Sequence, residues 1–217
     1  MKILLISSSP HKEKSQTFLL AKAVLKGCPD SAEPEIIHLC DCRIEFCRHC
    51  EECHRNIMQC PIKDDVRPIL EKILQAEGII LASPNYINQI TASMKALFDR
   101  SSHFIHCKRL LGKYIAGVVS SGSGQDREVL DYIKHYSHTC GAQYAGGVSS
   151  RVPFSNEKKD EAFNLGQSLT AAIKDKRLFP DQIKIIEAGK EHFKTIMEKR
   201  KNVWLAEYRY WKENRWL

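Results

Sequence analysis

Five apolar runs, each closing in small polar residues, alternate along the chain with segments whose apolar positions recur every three or four residues. The first, KILLISSS from Lys2 to Ser9, is almost continuously apolar, as a central parallel strand buried on both faces must be. A helix is expected from about Gln16 to Lys26, and EPEIIHLCD reads as a second strand. In DDVRPILEKILQAE, Val66, Ile69, Leu70, Ile73 and Leu74 share one helical face. Asp65 suits the N-cap there, which leaves Pro68 in the first turn, where its missing N–H is tolerated. The alternation then repeats: strand GIILASPNY, helix from about Ser93 to Phe104, strand KYIAGVVSSG, helix from about Arg127 to Thr139, strand AQYAGGVSS, and helix from about Lys158 to Lys174.

Strands alternating with helices imply an α/β fold: a parallel sheet with right-handed crossovers and helices on both faces. Six-stranded dinucleotide-binding sheets share this pattern, but five strands favour a flavodoxin-like sheet. Residues 1–178 would form that sheet domain, with a cysteine-rich loop at 42–62, and 179–217 a helical extension. In the extension Ile183, Ile186, Phe193, Ile196, Met197 and Trp204 can share an apolar stripe running toward Tyr208 and Trp211. The sheet is complete without it, so the stripe must pack back on the domain or on another subunit. A subunit contact is the favoured expectation, with a homo-dimer or homo-tetramer as the assembly.

The chain has 217 residues, enough for a substantial core, and no run approaches the roughly 20 apolar residues of a membrane span. No signal-peptide pattern is visible, so a cytoplasmic location is expected, without membrane association. In a reducing compartment nine cysteines, an odd number, argue for metal ligation over a disulfide framework. The net charge of +7 is densest in the basic and aromatic C-terminus. Nucleic-acid binding uses such residues, but a solvated helix face over a buried aromatic stripe explains them better, and no nucleic-acid partner is expected.

In an open parallel sheet, ligands bind beyond the carboxyl ends of the strands. Three loops therefore stand out. SSSPHKEKSQTF is rich in hydroxyls and opens onto a helix N-terminus, where amides and dipole favour a phosphate. It has neither the Walker A ending nor GxGxxG spacing, so Ser9, Ser15 and Thr17, with His11, suit a terminal phosphomonoester such as that of FMN. SPNYINQ offers a stiffening proline, Asn85 for the polar edge of a heterocycle and Tyr86 for stacking. In SSGSGQ, Gly122 and Gly124 beside Ser121 permit close backbone approach to a ring.

The stretch CRHCEECHRNIMQC places Cys47, Cys50, Cys53 and Cys60 within fourteen residues. Three cysteines at three-residue spacing can fold around one corner of an iron-sulfur cube, with a fourth reaching back, as in bacterial ferredoxins. A zinc site that recruits His49 or His54, or free redox-active thiols, fits the residues less well but remains open. Cys40 and Cys42 at the end of the second strand, and Cys28, Cys107 and Cys140 near helices, are expected to be core residues.

Taken together, SSSPHKEKSQT, CPIKDDV and SPNYINQITASMKALFDR resemble the flavodoxin-like NADPH-dependent FMN reductase family over roughly residues 1 to 150. The cysteine spacing is similar to that of the iron-sulfur flavoproteins within it. The resemblance implies FMN and a [4Fe-4S] cluster as cofactors. The phosphate would fall to Ser9, His11, Ser15, Gln16 and Thr17, and the isoalloxazine ring to Pro84, Asn85, Tyr86 and Ile87. The four thiols Cys47, Cys50, Cys53 and Cys60 would hold the cluster. Ser8 and His11 depart from the glycine and arginine frequent in the family, which implies a phosphate held more weakly or by backbone amides alone. The implied activity is electron transfer between cluster and flavin. The donor would be ferredoxin, suited by the positive charge, or a nicotinamide cofactor, with a small-molecule acceptor.

Overall fold

A computed structural model describes Met1–Leu217. Strands β1 (Lys2–Ser7), β2 (Glu33–His38), β3 (Gly78–Pro84), β4 (Tyr114–Ser121) and β5 (Gln143–Arg151) form one parallel sheet in the order β2-β1-β3-β4-β5. This is the flavodoxin-like order, whose switch point lies between β1 and β3.

Alternation along β1 explains why the run is apolar throughout. Leu4 and Ile6 point into one core with Ile69, Leu70, Leu97 and Ile133, while Ile3 and Leu5 point into the other with Phe18, Leu20, Leu165 and Leu169. Each such side chain, fully buried, contributes roughly 1.5–3 kcal/mol.

Helices α1 (Gln16–Lys26), α2 (Glu52–Arg55), α3 (Val66–Gln75), α4 (Ala92–Asp99), α5 (Ser102–His106), α6 (Arg127–Thr139), α7 (Asn156–Lys174), α8 (Pro180–Arg200) and α9 (Leu205–Glu213) complete the chain. On one face α1 and α7 touch backbone to backbone. A Cβ on Gly166 would stand 2.0 Å from the Val24 carbonyl oxygen, and one on Gly27 1.9 Å from that of Phe163.

Four expectations need correction. The helix expected over 93–104 is two, α4 and α5, parted at Arg100 and Ser101, where the Ser101 hydroxyl donates to the Phe98 carbonyl and also meets the Tyr136 hydroxyl. Asp65 occupies the N-cap position of α3 but caps nothing, because its carboxylate accepts the Arg43 N–H at 2.7 Å instead. The Val66 N–H is taken by Asp64. Cys40 is exposed and Cys28 and Cys42 are half-buried, because Cys40 and Cys42 sit at a 3-10 turn after β2 and not within it; Cys107 and Cys140 are core residues.

The fourth correction concerns the extension, which covers its own domain. Met197, Trp204 and Trp211 are buried in a cluster with Cys107, and the Trp211 indole N–H donates to the His106 carbonyl at 3.1 Å. Ile186 is buried as well. The apolar stripe is therefore satisfied within one chain. No helix is long and apolar enough to cross a membrane.

Candidate functional site

All five strands run in one direction, so the loops after β1, β2, β3 and β4 emerge on one edge. There the first loop meets the end of β2 through an ion pair from Lys12 to Asp41 and a contact of 3.3 Å between Glu13 Oε1 and His38 Nε2. Ser7, Ser8, Ser9, Ser15 and Thr17 are buried. Ser15 caps α1 by accepting the Phe18 N–H at 3.3 Å, which leaves the amides of Gln16 and Thr17 without an acceptor in the chain. Open amides at a helix N-terminus, ringed by hydroxyls, suit a phosphate. Two neighbours are committed elsewhere: the Ser8 hydroxyl donates to the Ala82 carbonyl, and Thr17 and Ser120 share a hydrogen bond of 2.5 Å. His11 is exposed, and the first loop's side chains carry no arginine toward this pocket.

The loops after β3 and β4 are laced together. The Asn85 amide N–H donates to the Ser120 carbonyl at 2.8 Å, and the Asn85 side chain donates to the Gln125 carbonyl. Tyr86 and Gln89 pair across a tight hairpin whose two central residues, Ile87 and Asn88, are both left-handed (φ +53° and +56°). For a β-branched residue this conformation is strained by about 1–2 kcal/mol. Ile87 is nonetheless 99% exposed and Tyr86 49%, so the hairpin presents an open shelf. Across from it, Gly122 and Gly124 face space that not even a Cβ would fill, and the Gly124 N–H is held by the Ser121 hydroxyl at 2.8 Å.

The cysteine loop leaves the same edge after β2. Two aspartates close its neck: Asp65 accepts from the Arg43 amide, and Asp64 from the Glu45 amide at 2.9 Å. Within the loop His49, Glu51 and Met58 are left-handed without being glycine. Such curls gather backbone N–H groups into the concavities found at phosphate and iron-sulfur sites. Cys47, Cys50, Cys53 and Cys60 all line one cavity of about 230 Å³, with His54, Arg100, Ser102, His106 and Trp204. Cys47 and Cys50 are exposed, Cys53 and Cys60 half-buried, and all four are free thiols. Soft thiolate donors of this number fit an iron-sulfur cluster or zinc.

A larger cavity of about 370 Å³ lies at the opposite edge, lined by Glu77, Tyr114, Gln143 and Ile186 among others. It contains none of these groups. The chemistry therefore selects the carboxyl edge.

Two ionic groups behind the thiols were not legible in the cysteine spacing. Arg100, at the end of α4, donates from Nη2 to Cys60 Sγ at 3.3 Å and forms a two-pronged pair with Asp64 at 2.7 and 3.1 Å. Burial alone would raise the Asp64 carboxyl, but hydrogen bonds from Arg100, Glu45 and Val66 outweigh it and hold the group below the usual carboxylate range. On the other side, Glu207 of α9 is fully buried between two imidazoles, accepting from His54 Nδ1 at 2.7 Å and His106 Nδ1 at 3.0 Å. Burial works against charge on His54, yet its hydrogen bonds to Cys53 and Glu207 prevail and raise it to about 10.

The family described as NADPH-dependent FMN reductase matches residues 1–157. An iron-sulfur flavoprotein of Methanocaldococcus jannaschii is 30% identical over 190 residues, spanning 80% of this chain and 98% of that protein. Another, of Archaeoglobus fulgidus, is 29% identical over 219 residues, covering 98% of both chains. The fold is also similar to that of an NADH:FMN oxidoreductase solved in its apo form, with a TM-score of 0.60 at 19% identity over 79% of this chain and 89% of that one. By sequence and fold alike, the chain belongs to the NADPH-dependent FMN reductase family, as a flavin-dependent oxidoreductase similar to the iron-sulfur flavoproteins.

Proposed function

We propose that the protein transfers electrons between a [4Fe-4S] cluster held by Cys47, Cys50, Cys53 and Cys60 and an FMN held on the adjoining loops. The observation that carries this reading is the gathering of all four thiols around one cavity, on a loop that leaves the same edge of the sheet as the hydroxyl-rich loop and the hairpin. When bound, the cluster supplies one-electron steps and FMN couples them to two-electron chemistry.

The chain's own residues bind and orient. The amides of Gln16 and Thr17, with the hydroxyls of Ser9 and Ser15, receive the phosphate in place of the arginine that His11 replaces. Pro84, Asn85, Tyr86 and Ile87 form one wall for the ring, and Ser121, Gly122 and Gly124 the other. Arg100 steadies Cys60 and offsets part of the negative charge that four thiolates bring.

The donor best suited to the surface is an acidic redox protein such as ferredoxin. Arg43, Arg48 and Lys63 rim an open hollow beside the exposed Cys50, against the single acid Glu45. Such a rim steers an acidic partner toward the thiols. A nicotinamide donor acting on FMN without a cluster is the alternative that the family's name favours.

Anaerobic purification with analysis of iron, acid-labile sulfide, zinc and flavin tests the reading. Four irons and four sulfides beside one FMN per chain are expected. Flavin without iron leaves the nicotinamide-linked reductase, and stoichiometric zinc without sulfide makes the cysteine loop a structural knuckle.

A further inference from the structure

We propose that Arg100 tunes the reduction potential of the thiol site through one edge of its guanidinium, with Nη2–H donating to Cys60 Sγ and Nε–H to a second sulfur of the bound cluster. This rests on the reading that Cys60 ligates a cluster. It goes beyond that reading, in which Arg100 only steadies a thiolate and offsets charge.

A guanidinium stays charged and offers five N–H donors in one plane. Asp64 spans Nη1 and Nη2 at 2.7 and 3.1 Å and so takes the facing hydrogen of each. The outer Nη1 hydrogen goes to the Glu45 carbonyl at 2.7 Å. The hydrogen left on Nη2 lies along the same edge as Nε–H, and its partner is Cys60 Sγ at 3.3 Å. Nε itself is buried and has no partner in the chain.

Pairing with Asp64 does not explain that edge. Closing the loop neck needs only the fork on Asp64 and the Glu45 contact, three hydrogen bonds that a lysine could supply. A buried donor left without an acceptor costs about 1–3 kcal/mol. The Arg100 side chain is 2% exposed, and it lines the thiol cavity together with Cys60. An acceptor brought by the occupant of that cavity removes the cost. Zinc brings no sulfur of its own, whereas an iron-sulfur cluster carries sulfide beside each ligating thiolate.

The effect on the couple has a fixed sign. Reduction adds negative charge to the sulfurs, so N–H groups donating to them stabilise the reduced form more than the oxidised one and raise the potential. Arg100→Lys separates these hydrogen bonds from simple charge. The ammonium keeps the positive charge, but Glu45 and the two Asp64 oxygens consume its three donors and leave none for sulfur.

The test is an EPR-monitored redox titration with iron and sulfide analysis on the full protein, for wild type, R100K and R48K. Arg48 is an exposed arginine lining the same cavity, and serves as the control. R100K is expected to keep its iron while the reduction equilibrium falls about tenfold, 59 mV for a one-electron couple. R48K is expected to leave the potential in place. Full iron in R100K with an unmoved or raised potential overturns the proposal, as does an equal fall in R48K. Should R100K fail to fold or to hold iron, ENDOR of the reduced protein labelled with 15N-arginine decides. A coupled arginine nitrogen with an exchangeable proton, retained in R48K, supports the contact. Its absence from wild type, or its loss in R48K, refutes it. A wild type without iron overturns the cluster reading itself, and is told apart by that analysis alone.

Discussion

Replacing Arg100 with methionine removes a cation that is almost wholly buried and makes four contacts: the Glu45 carbonyl and Asp64 Oδ2 from Nη1, each at 2.7 Å, and Asp64 Oδ1 and Cys60 Sγ from Nη2. Asp64, 1% exposed, is left with only the amide donors of Glu45 and Val66. Stranding one member of a buried pair costs about 3–5 kcal/mol. For a chain of this size each kcal/mol lowers the melting temperature by about 2–4 °C, so a fall of roughly 6–20 °C is expected. The assay is thermal and urea unfolding of wild type and Arg100→Met, both stripped of any bound metal so that its binding does not enter. Because the folded Asp64 carboxyl sits below its unfolded value of about 3.9, its contribution is present above that pH and lost as pH falls through the folded value. Arg100→Met should therefore lose stability near neutrality and show a weaker acid limb. The double variant with Asp64→Leu should cost clearly less than the sum of the single changes, since the orphaned carboxylate is gone. A loss below about 1 kcal/mol, or strict additivity, refutes the reasoning.

Gly166→Ala should destabilise by about 1–3 kcal/mol, read from urea midpoints, because its Cβ would meet the Val24 backbone and force α1 from α7. Ile87→Asn should stabilise by about 1 kcal/mol in the same assay, since asparagine accepts the left-handed conformation and the exposed side chain packs on nothing. FMN affinity, followed by quenching of flavin fluorescence, should nonetheless fall if that side chain covers the ring. The rate of reduction by ferredoxin should drop steeply with ionic strength, and a salt-independent rate would remove the steering role of Arg43, Arg48 and Lys63.

The central strands were legible because burial on two faces writes itself as continuous apolar runs in β1, β3 and β4, and β1 shows the consequence residue by residue in Ile3, Leu4, Leu5 and Ile6. The ends of α1 and α6 were legible for the same local reason. Arg100 was not: it stands where the helix ends, and its partners Glu45, Cys60 and Asp64 are remote in sequence. Nor was Asp65, whose expected cap was displaced by closure of a loop whose neck residues, Arg43 and Asp65, stand twenty-two positions apart. The thiols announced themselves by spacing. Glu207 could not, since a glutamate amid LAEYRYWKE reads as a solvent-facing charge. A signal was present in the aromatic residues around it, whose stripe has to be buried somewhere, and a glutamate between Trp204 and Trp211 at helical spacing shares that buried face.

The central claim is that electrons reach the flavin by way of the four thiols' cluster. The most direct measurement mixes the anaerobic, oxidised protein with a limiting amount of reduced ferredoxin in a stopped-flow spectrometer, for wild type and for Cys53→Ser with FMN still bound. In wild type the broad cluster absorption should bleach before the flavin bands, and in Cys53→Ser flavin reduction should slow by orders of magnitude. Flavin bleaching at the same rate in both proteins would contradict the account.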